Sequence, residues 1–515
     1  MRTCGDGKER KSTGGRDVMK LVVVGAGVSG LATAFRVRER FDVHRRPLEI
    51  CVLEAADRAG GKIRTEDQAG YRVEWGPNGF LDGKPDTLAL CEALGIRDAL
   101  LPSSERARKR YVFSAGTLHR VPETPVAFFR SPLLTPWGRL RVVKEAWAPR
   151  TPPGLDTSIA EFGSRRLGRE AAEKLLDPMV SGIFAGDPAI MSLASCFPRI
   201  AEMEREHGSL LRAMVALQRQ RKRAGKGPVS KGMDSPGLGE GRKTGGPAGP
   251  AGTLTSFENG MEQLVRALEG RLGTCVRKEC AVTSLLPEDR EKKVGGYRIR
   301  YRHQGVEKEM AADAVVLAVP AYEARQILAE MEPAVCVLLE GILYAPLVVV
   351  ALGFSTAEAS RSLDGFGFLV PYREESLVLG SLWTSSIFPA RAAQDRILTR
   401  NMVGGWRNGW AVALDEEELE AIASAMLERA VGSLGRVHFR MCIRHPKAIP
   451  LYLLGHGRRL ETIEGRLGRF PGIYLTGNAY RGVALNDCTR EAVRVAQRVE
   501  EDFILGRGEG EEKEQ

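Results

Sequence analysis

At 515 residues and 56.3 kDa the chain has room for two or three domains and for a core that encloses a sizeable ligand. Hydrophobic residues make up 43% and charged residues 27%, a globular mix that excludes a disordered or fibrous protein. Aromatics at 6% are too sparse for single-strand nucleic-acid binding by stacking, yet a net charge of +10 favours an anionic partner such as an acidic membrane surface or a carboxylated substrate.

Nine scattered cysteines with no CxxC pair give neither a disulfide framework nor a zinc site, so no metal is expected and a reducing compartment is. The first twenty residues are polar and are not a secretory signal; Asp6, Glu9 and Asp17 argue against a transit peptide. No run of about 18 apolar residues occurs, so membrane contact would be peripheral. The expected location is the cytoplasm, or the cytoplasmic face of the inner membrane in a bacterium, with a mitochondrion or plastid left open.

In chain order, Met19 to Val24 predicts a buried strand, Gly25-Ala26-Gly27-Val28-Ser29-Gly30 a glycine turn, 31–40 a helix and Leu48 to Glu54 a second strand: a βαβ unit. Helical patterns dominate 87–217, with a short hairpin at 110–113 and 118–122 about Gly116 and one helix over 197–218. Residues 127–147 mix Phe128, Phe129, Leu133, Leu134 and Trp137 with Arg130, Arg139, Arg141 and Lys144. Residues 219–252, rich in Gly, Pro, Lys and Arg, predict a disordered basic insert. Strands resume at 281–287, 297–303 and 313–320, and 343–383 is again strand-rich. Helices are expected at 416–431 and 489–503, with a strand and glycine turn at 472–477 between them.

The glycine turn has a definite chemistry. Gly25 makes the tight turn, Gly27 lets backbone amides approach a pyrophosphate, and Gly30 lets helix and strand pack closely. Ala26, Val28 and Ser29 complete the loop at a helix N-terminus that favours phosphate. Glu54 ends the second strand where a carboxylate takes a ribose hydroxyl pair, which disfavours a 2′-phosphate and NADP. Arg58-Ala59-Gly60-Gly61-Lys62 follows at once, a second glycine loop with cations.

This pairing resembles the flavin amine oxidase superfamily, whose dinucleotide is FAD. Four further stretches resemble the protoporphyrinogen oxidases: Glu74-Trp75-Gly76-Pro77-Asn78-Gly79-Phe80, residues 177–186, residues 365–371, and residues 475–488. Together the matches span residues 21 to 498; Ser181 and the insert at 219–252 depart from the pattern. The resemblance implies an α/β (α+β) fold: a Rossmann-type FAD-binding domain, a sheet-based substrate domain and a helical membrane-binding domain. The implied division is 18–86, 253–330 and 466–505 for FAD, 87–218 for the helical membrane-binding domain, and 331–465 for substrate.

The resemblance also implies roles. Gly76, Pro77, Asn78, Val282, Gly477, Asn478, Val483, Ala484 and Leu485 join the two glycine loops and Glu54 in binding FAD. With no Cys or His over 476–486, the flavin would be non-covalent. Arg110 would bind a substrate propionate, a carboxylate that suits a guanidinium fork. Phe366, Leu369 and Met402 would wall a flat tetrapyrrole, and Gly182 would leave it room. An Asn486-Asp487 pair reads as the cap of the final helix. No dyad or triad is visible, which agrees with a flavin doing the redox chemistry.

The implied reaction is the six-electron oxidation of protoporphyrinogen IX by dioxygen with release of hydrogen peroxide. The alternative is a coproporphyrinogen III oxidase, whose extra propionates Arg106, Arg108 and Lys109 would meet. An amine oxidase and a flavin-binding regulator without turnover are weaker rivals. Expected partners are the porphyrinogen, dioxygen and an anionic membrane surface, without nucleic acid; a homodimer is left open.

Overall fold

The computed structural model describes residues 18–122, 125–224, 252–288 and 296–506. Its centre is a five-stranded parallel sheet in the order Val276–Arg277, Leu48–Leu53, Met19–Val24, Ala314–Leu317, Ile473–Leu475. These strands are apolar on both faces because both faces are covered. Leu21 and Val23 point into one core with helices Val28–Val43, Glu262–Leu272 and Leu485–Glu500. Val22 and Val24 point into a second core, under a three-stranded antiparallel meander (Cys280–Pro287, Tyr297–His303, Val306–Ala312) and the helices Ala321–Ile327, Pro333–Glu340 and His456–Leu467.

A seven-stranded mixed sheet forms the other layer. Its order is Phe439–Pro450, Tyr344–Ser355, Arg396–Gly404, Val378–Leu382, Gly367–Leu369, Arg110–Ser114, Thr117–Arg120. All neighbours are antiparallel except Gly367–Leu369 with Arg110–Ser114. Alternation divides its faces. Val348, Val350, Leu352 and Val403 pack outward against helix Glu416–Val431, whose Asp415 and Glu418 form a capping box. Leu347, Val349, Ala351, Leu398 and Ile443 pack inward, with Tyr71, Val73, Val180 and Phe184. The inner face therefore meets strand Tyr71–Glu74 and helix Asp177–Phe184, and Lys62 donates to the Lys447 carbonyl on its edge strand.

The structure redraws several expected boundaries. Within 87–218, helix Pro85–Leu94 packs in the dinucleotide-domain core and strand Leu100–Pro102 pairs with Leu254–Phe257. Arg110–Ser114 and Thr117–Arg120 belong to the seven-stranded sheet, so the helical part proper begins near Pro125. Helices Pro333–Glu340 and His456–Leu467, expected with the substrate domain, bury their apolar sides in the second core of the parallel-sheet layer. The helix expected over 197–218 is two, Pro198–His207 and Leu210–Ala224, broken at Gly208, whose φ of +70° ends the first. The second runs six residues into the expected insert, because Arg, Gln, Lys and Ala are good helix formers up to Gly225. The remaining insert, 225–251, lies outside the described residues.

Candidate active site

The first glycine loop is built by contacts that forbid a side chain on two sides and leave one open. A Cβ at Gly25, where φ is +98°, would lie 2.9 Å from the carbonyl oxygen of Ala318. A Cβ at Gly30 would lie 1.9 Å from the carbonyl oxygen of Gly25, inside any tolerable contact. At Gly27 a Cβ would meet nothing within 4 Å, so the space on its side-chain side is open. The Glu54 carboxylate accepts from the Ala26 N–H at 2.7 Å and the Ala56 N–H at 3.0 Å, tying the end of the second strand to the loop. Val282 lies close by: the Cys280 N–H donates to the Glu54 carbonyl at 2.7 Å, and Val282 follows on the same strand.

The second glycine loop docks on the first. Gly60 N–H donates to the Ala26 carbonyl at 2.8 Å, and a Cβ on Gly61 would sit 3.6 Å from Gly27 Cα. The Arg58 guanidinium donates to the carbonyls of Gly61 (2.9 Å) and Ile63 (2.6 Å) and so fixes the loop's curvature. Lys62 then turns inward. Its Nζ donates to the carbonyls of Lys447, at 2.8 Å, and Ala448, and burial pulls its ammonium down to about 8.

Gly76 lies directly on this segment, since a Cβ there would be 2.4 Å from the Lys62 carbonyl oxygen. The Arg400 Nη2 donates to the Gly76 carbonyl at 2.8 Å. Pro77 and Asn78 follow, and both side-chain polar atoms of buried Asn78 have no partner among the described residues. Glu74, 1% exposed, is raised above the ordinary carboxylate range by burial, opposed by Arg391 at 3.0 Å.

The third wall is the turn 477–482. Gly477, at φ +123°, has open space where a side chain would be, and buried Thr476 Oγ1 lacks a partner among the described residues. Tyr452 Oη donates to the Asn478 carbonyl at 2.6 Å. His456 Nε2 donates to the Tyr480 carbonyl at 3.0 Å, and the two rings stack at 4.2 Å and 13°. Helix Leu485–Glu500 begins after Val483 and Ala484, four residues earlier than expected, and Ala484 caps it without a side-chain bond. Asn486 and Asp487 are therefore not its cap. They lie in its first turn, where Asn486 bonds Thr87 and Leu81 and Asp487 pairs with Lys84.

The expected substrate residues converge on the inner face of the large sheet. One row across neighbouring strands reads Arg110, Gly367, Leu382, Arg400; the next reads Val112, Leu369, Gly380, Met402. A Cβ on Gly182 would lie 2.6 Å from Leu369, so that helix touches the second row. Met402 and Val483 pack against the same apolar cluster. The Arg110 guanidinium lies 5.1 Å from the centre of the Phe366 ring. Of the other cations there, Arg108 pairs with Glu105 at 3.0 Å and Lys109 with Asp364.

Four residues at the site went unmarked in the sequence: Arg400, His445, Tyr452 and His456. Arg396 to Gly404 alternates Leu398, Arg400, Met402 against Ile397, Thr399, Asn401, Val403; read with period two, it would have put Arg400 beside Met402.

Two glycine loops on a parallel sheet, a ribose-side carboxylate and an apolar face opposite define a dinucleotide-dependent oxidoreductase. Residues 28–500 match the family of flavin containing amine oxidoreductases, and the chain belongs to that family. It is an FAD-dependent oxidoreductase, and its open glycine cradles and unpartnered Asn78 and Thr476 fit that cofactor. It is 31% identical to the chloroplastic protoporphyrinogen oxidase of Oryza sativa subsp. japonica over 94% of this chain and 89% of that one. It is 29% identical to the coproporphyrinogen III oxidase of Bacillus subtilis (strain 168), covering 91% and 95%. A crystal structure from Exiguobacterium sp. 255-15, assigned as a protoporphyrinogen oxidase, superposes with TM-score 0.75 at 26% identity, covering 94% and 99%. A reduced UDP-galactopyranose mutase, 16% identical with TM-score 0.66, shares the fold.

Proposed function

We propose that this flavoenzyme oxidises protoporphyrinogen IX to protoporphyrin IX, with dioxygen as acceptor and hydrogen peroxide as by-product. Each of three rounds removes two electrons and two protons from the macrocycle. When bound, FAD supplies the two-electron chemistry. The chain's own residues supply position. The loops Gly25–Gly30 and Arg58–Lys62, with Glu54 and Val282, would hold the adenosine diphosphate half. Gly76, Pro77, Asn78 and residues 477–485 would hold the flavin half. Arg110 takes a propionate, while Phe366, Leu369 and Met402 give the ring flat apolar walls and Gly182 leaves it room.

The carrying observation is the shared face of Arg110, Leu369 and Met402, one cation at the edge of an apolar wall that ends at the cofactor turn. The test is aerobic turnover of both porphyrinogens by the purified holoenzyme. Protoporphyrin fluorescence with three equivalents of peroxide is expected; coproporphyrin formed faster would favour the alternative.

We infer further that the helical part rests on an anionic membrane surface. No helix among the described residues is long and apolar enough to cross a bilayer. Yet Trp137 is 80% and Trp147 75% exposed, with Phe129 and Leu140 also exposed on the same segment. Arg130 and Lys144 lie beside them in sequence. Exposed aromatics with cations suit an acyl–headgroup boundary. Leu133 and Leu134, expected to join them, are buried instead.

A further inference from the structure

The inner face of the large sheet gathers two cations with no carboxylate of their own among the described residues, buried Arg400 and half-buried Lys62, beside the half-buried His445. Lys62, His445 and Arg400 come from three separate segments, and all three donate to neutral backbone carbonyls. Lys62 reaches Lys447 and Ala448, His445 Nε2 reaches Trp75 at 3.0 Å, and Arg400 reaches Gly76. None of the three makes an ion pair among the described residues. The carboxylate that Arg400 does feel, Glu74, is held by Arg391 at 3.0 Å, Thr65 Oγ1 at 2.8 Å and the Met261 N–H at 3.0 Å. Among the described residues Arg400 Nε, in a residue 3% exposed, has no partner, and neither has the Asn78 amide.

A cation buried as Arg400 is, without a carboxylate of its own, is disfavoured by desolvation unless an anion joins it, and Lys62 beside it adds to the same field. Their position says which anion. Gly61 touches Gly27, Lys62 follows Gly61, Gly76 sits on Lys62, Arg400 bonds Gly76, and Met402 is next to Arg400 on the same face. The cations thus occupy the stretch between the pyrophosphate cradle and the expected substrate wall.

We propose that Lys62 and Arg400, with His445 as a neutral donor beside them, form a buried seat for the negative charge that FAD gains on reduction. This rests on the FAD-dependent reading above. In each round the substrate loses two electrons and two protons. The neutral flavin takes both electrons with one proton and becomes a monoanion, and the second proton goes to solvent. Dioxygen then takes two electrons and two protons to give hydrogen peroxide. Cations held in a low-dielectric site favour the monoanion over the neutral oxidised ring.

The test needs no porphyrinogen. The flavin potential of the FAD-loaded protein is measured by equilibrium reduction against a reference dye, and sulfite, which adds to oxidised flavin and leaves a comparable negative charge, is titrated separately. Lys62→Met and Arg400→Met should each weaken two-electron reduction tenfold or more, about 30 mV for such a couple, and weaken sulfite binding by a similar factor. Lys62→Arg should restore both. Should Arg400→Met not fold, Lys62→Met decides alone. FAD-loaded variants with unchanged potential and sulfite affinity overturn the seat. If those variants still oxidise porphyrinogen, the proposed function stands without it; if wild-type protein binds FAD but oxidises no porphyrinogen, the potential shifts still judge the seat.

Discussion

In the proposed pocket Arg110 would anchor a charge and Gly182 would keep the wall at Leu369 in place. Truncating a charged hydrogen-bond partner costs about 1.5–3 kcal/mol, so Arg110→Ala should raise KM for the porphyrinogen tenfold or more while FAD content is unchanged. Wild-type kinetics in that variant would remove the propionate assignment. Gly182→Leu would drive a side chain onto Leu369, already 2.6 Å from the Cβ position. It should lower kcat/KM with the flavin spectrum intact; unaltered kinetics would place the substrate elsewhere. At this scale Gly27, Glu54 and Gly477 stood out in the sequence because they lie in local motifs. Arg400 and His445 stayed hidden because their meaning depends on which side of a sheet they share with Met402 and which loop, Trp75-Gly76, crosses above them.

The turn 477–482 is held by an element that no motif announced. Tyr452 and His456, stacked and 1% exposed each, bond the carbonyls on either side of Ala479. Burial, with Arg459 and Arg481 near, pulls His456 down to about 4. Its folded value lies below its unfolded value near 6.5, so the neutral ring's contribution is present above pH 6.5 and is lost as pH falls toward 4. The loss is about 3 kcal/mol if fully expressed. Thermal release of FAD should therefore fall to lower temperature across that window, and His456→Gln should flatten the dependence. An unchanged slope in that variant would assign the acid sensitivity to other groups. Long runs such as Met19–Val24 and Glu416–Val431 were legible because their periodicity is unbroken. Arg396–Gly404 and Phe439–Pro450 were not, because buried polar residues stand on both faces of the first, Arg400 on one and Thr399 and Asn401 on the other, and His445, Pro446 and Lys447 interrupt the second. The final helix starts early because Leu485 buries at its first turn and leaves the amides beyond Ala484 without a side-chain cap.

Over the whole molecule, the family resemblance located both layers, but chain order misplaced their borders. Strands 110–120 cross into the large sheet, and helices at 333–340 and 456–467 return to the FAD layer, since each buries its apolar side where a partner exists rather than where the chain is contiguous. The same view separates the exposed Trp137 and Trp147 from the buried Leu133 and Leu134. The holoenzyme should float with anionic liposomes at low salt and be released at high salt, and Trp137→Glu with Trp147→Glu should weaken flotation while flavin content holds. Absence of wild-type protein from anionic vesicles at low salt would remove the membrane surface from the account. The substrate claim itself is tested most directly by anaerobic rapid mixing of the FAD-loaded protein with protoporphyrinogen IX and, separately, with coproporphyrinogen III, following flavin absorbance. Bleaching within the turnover time by protoporphyrinogen, and slower bleaching by coproporphyrinogen, is the predicted result; a flavin that stays oxidised with protoporphyrinogen would contradict it.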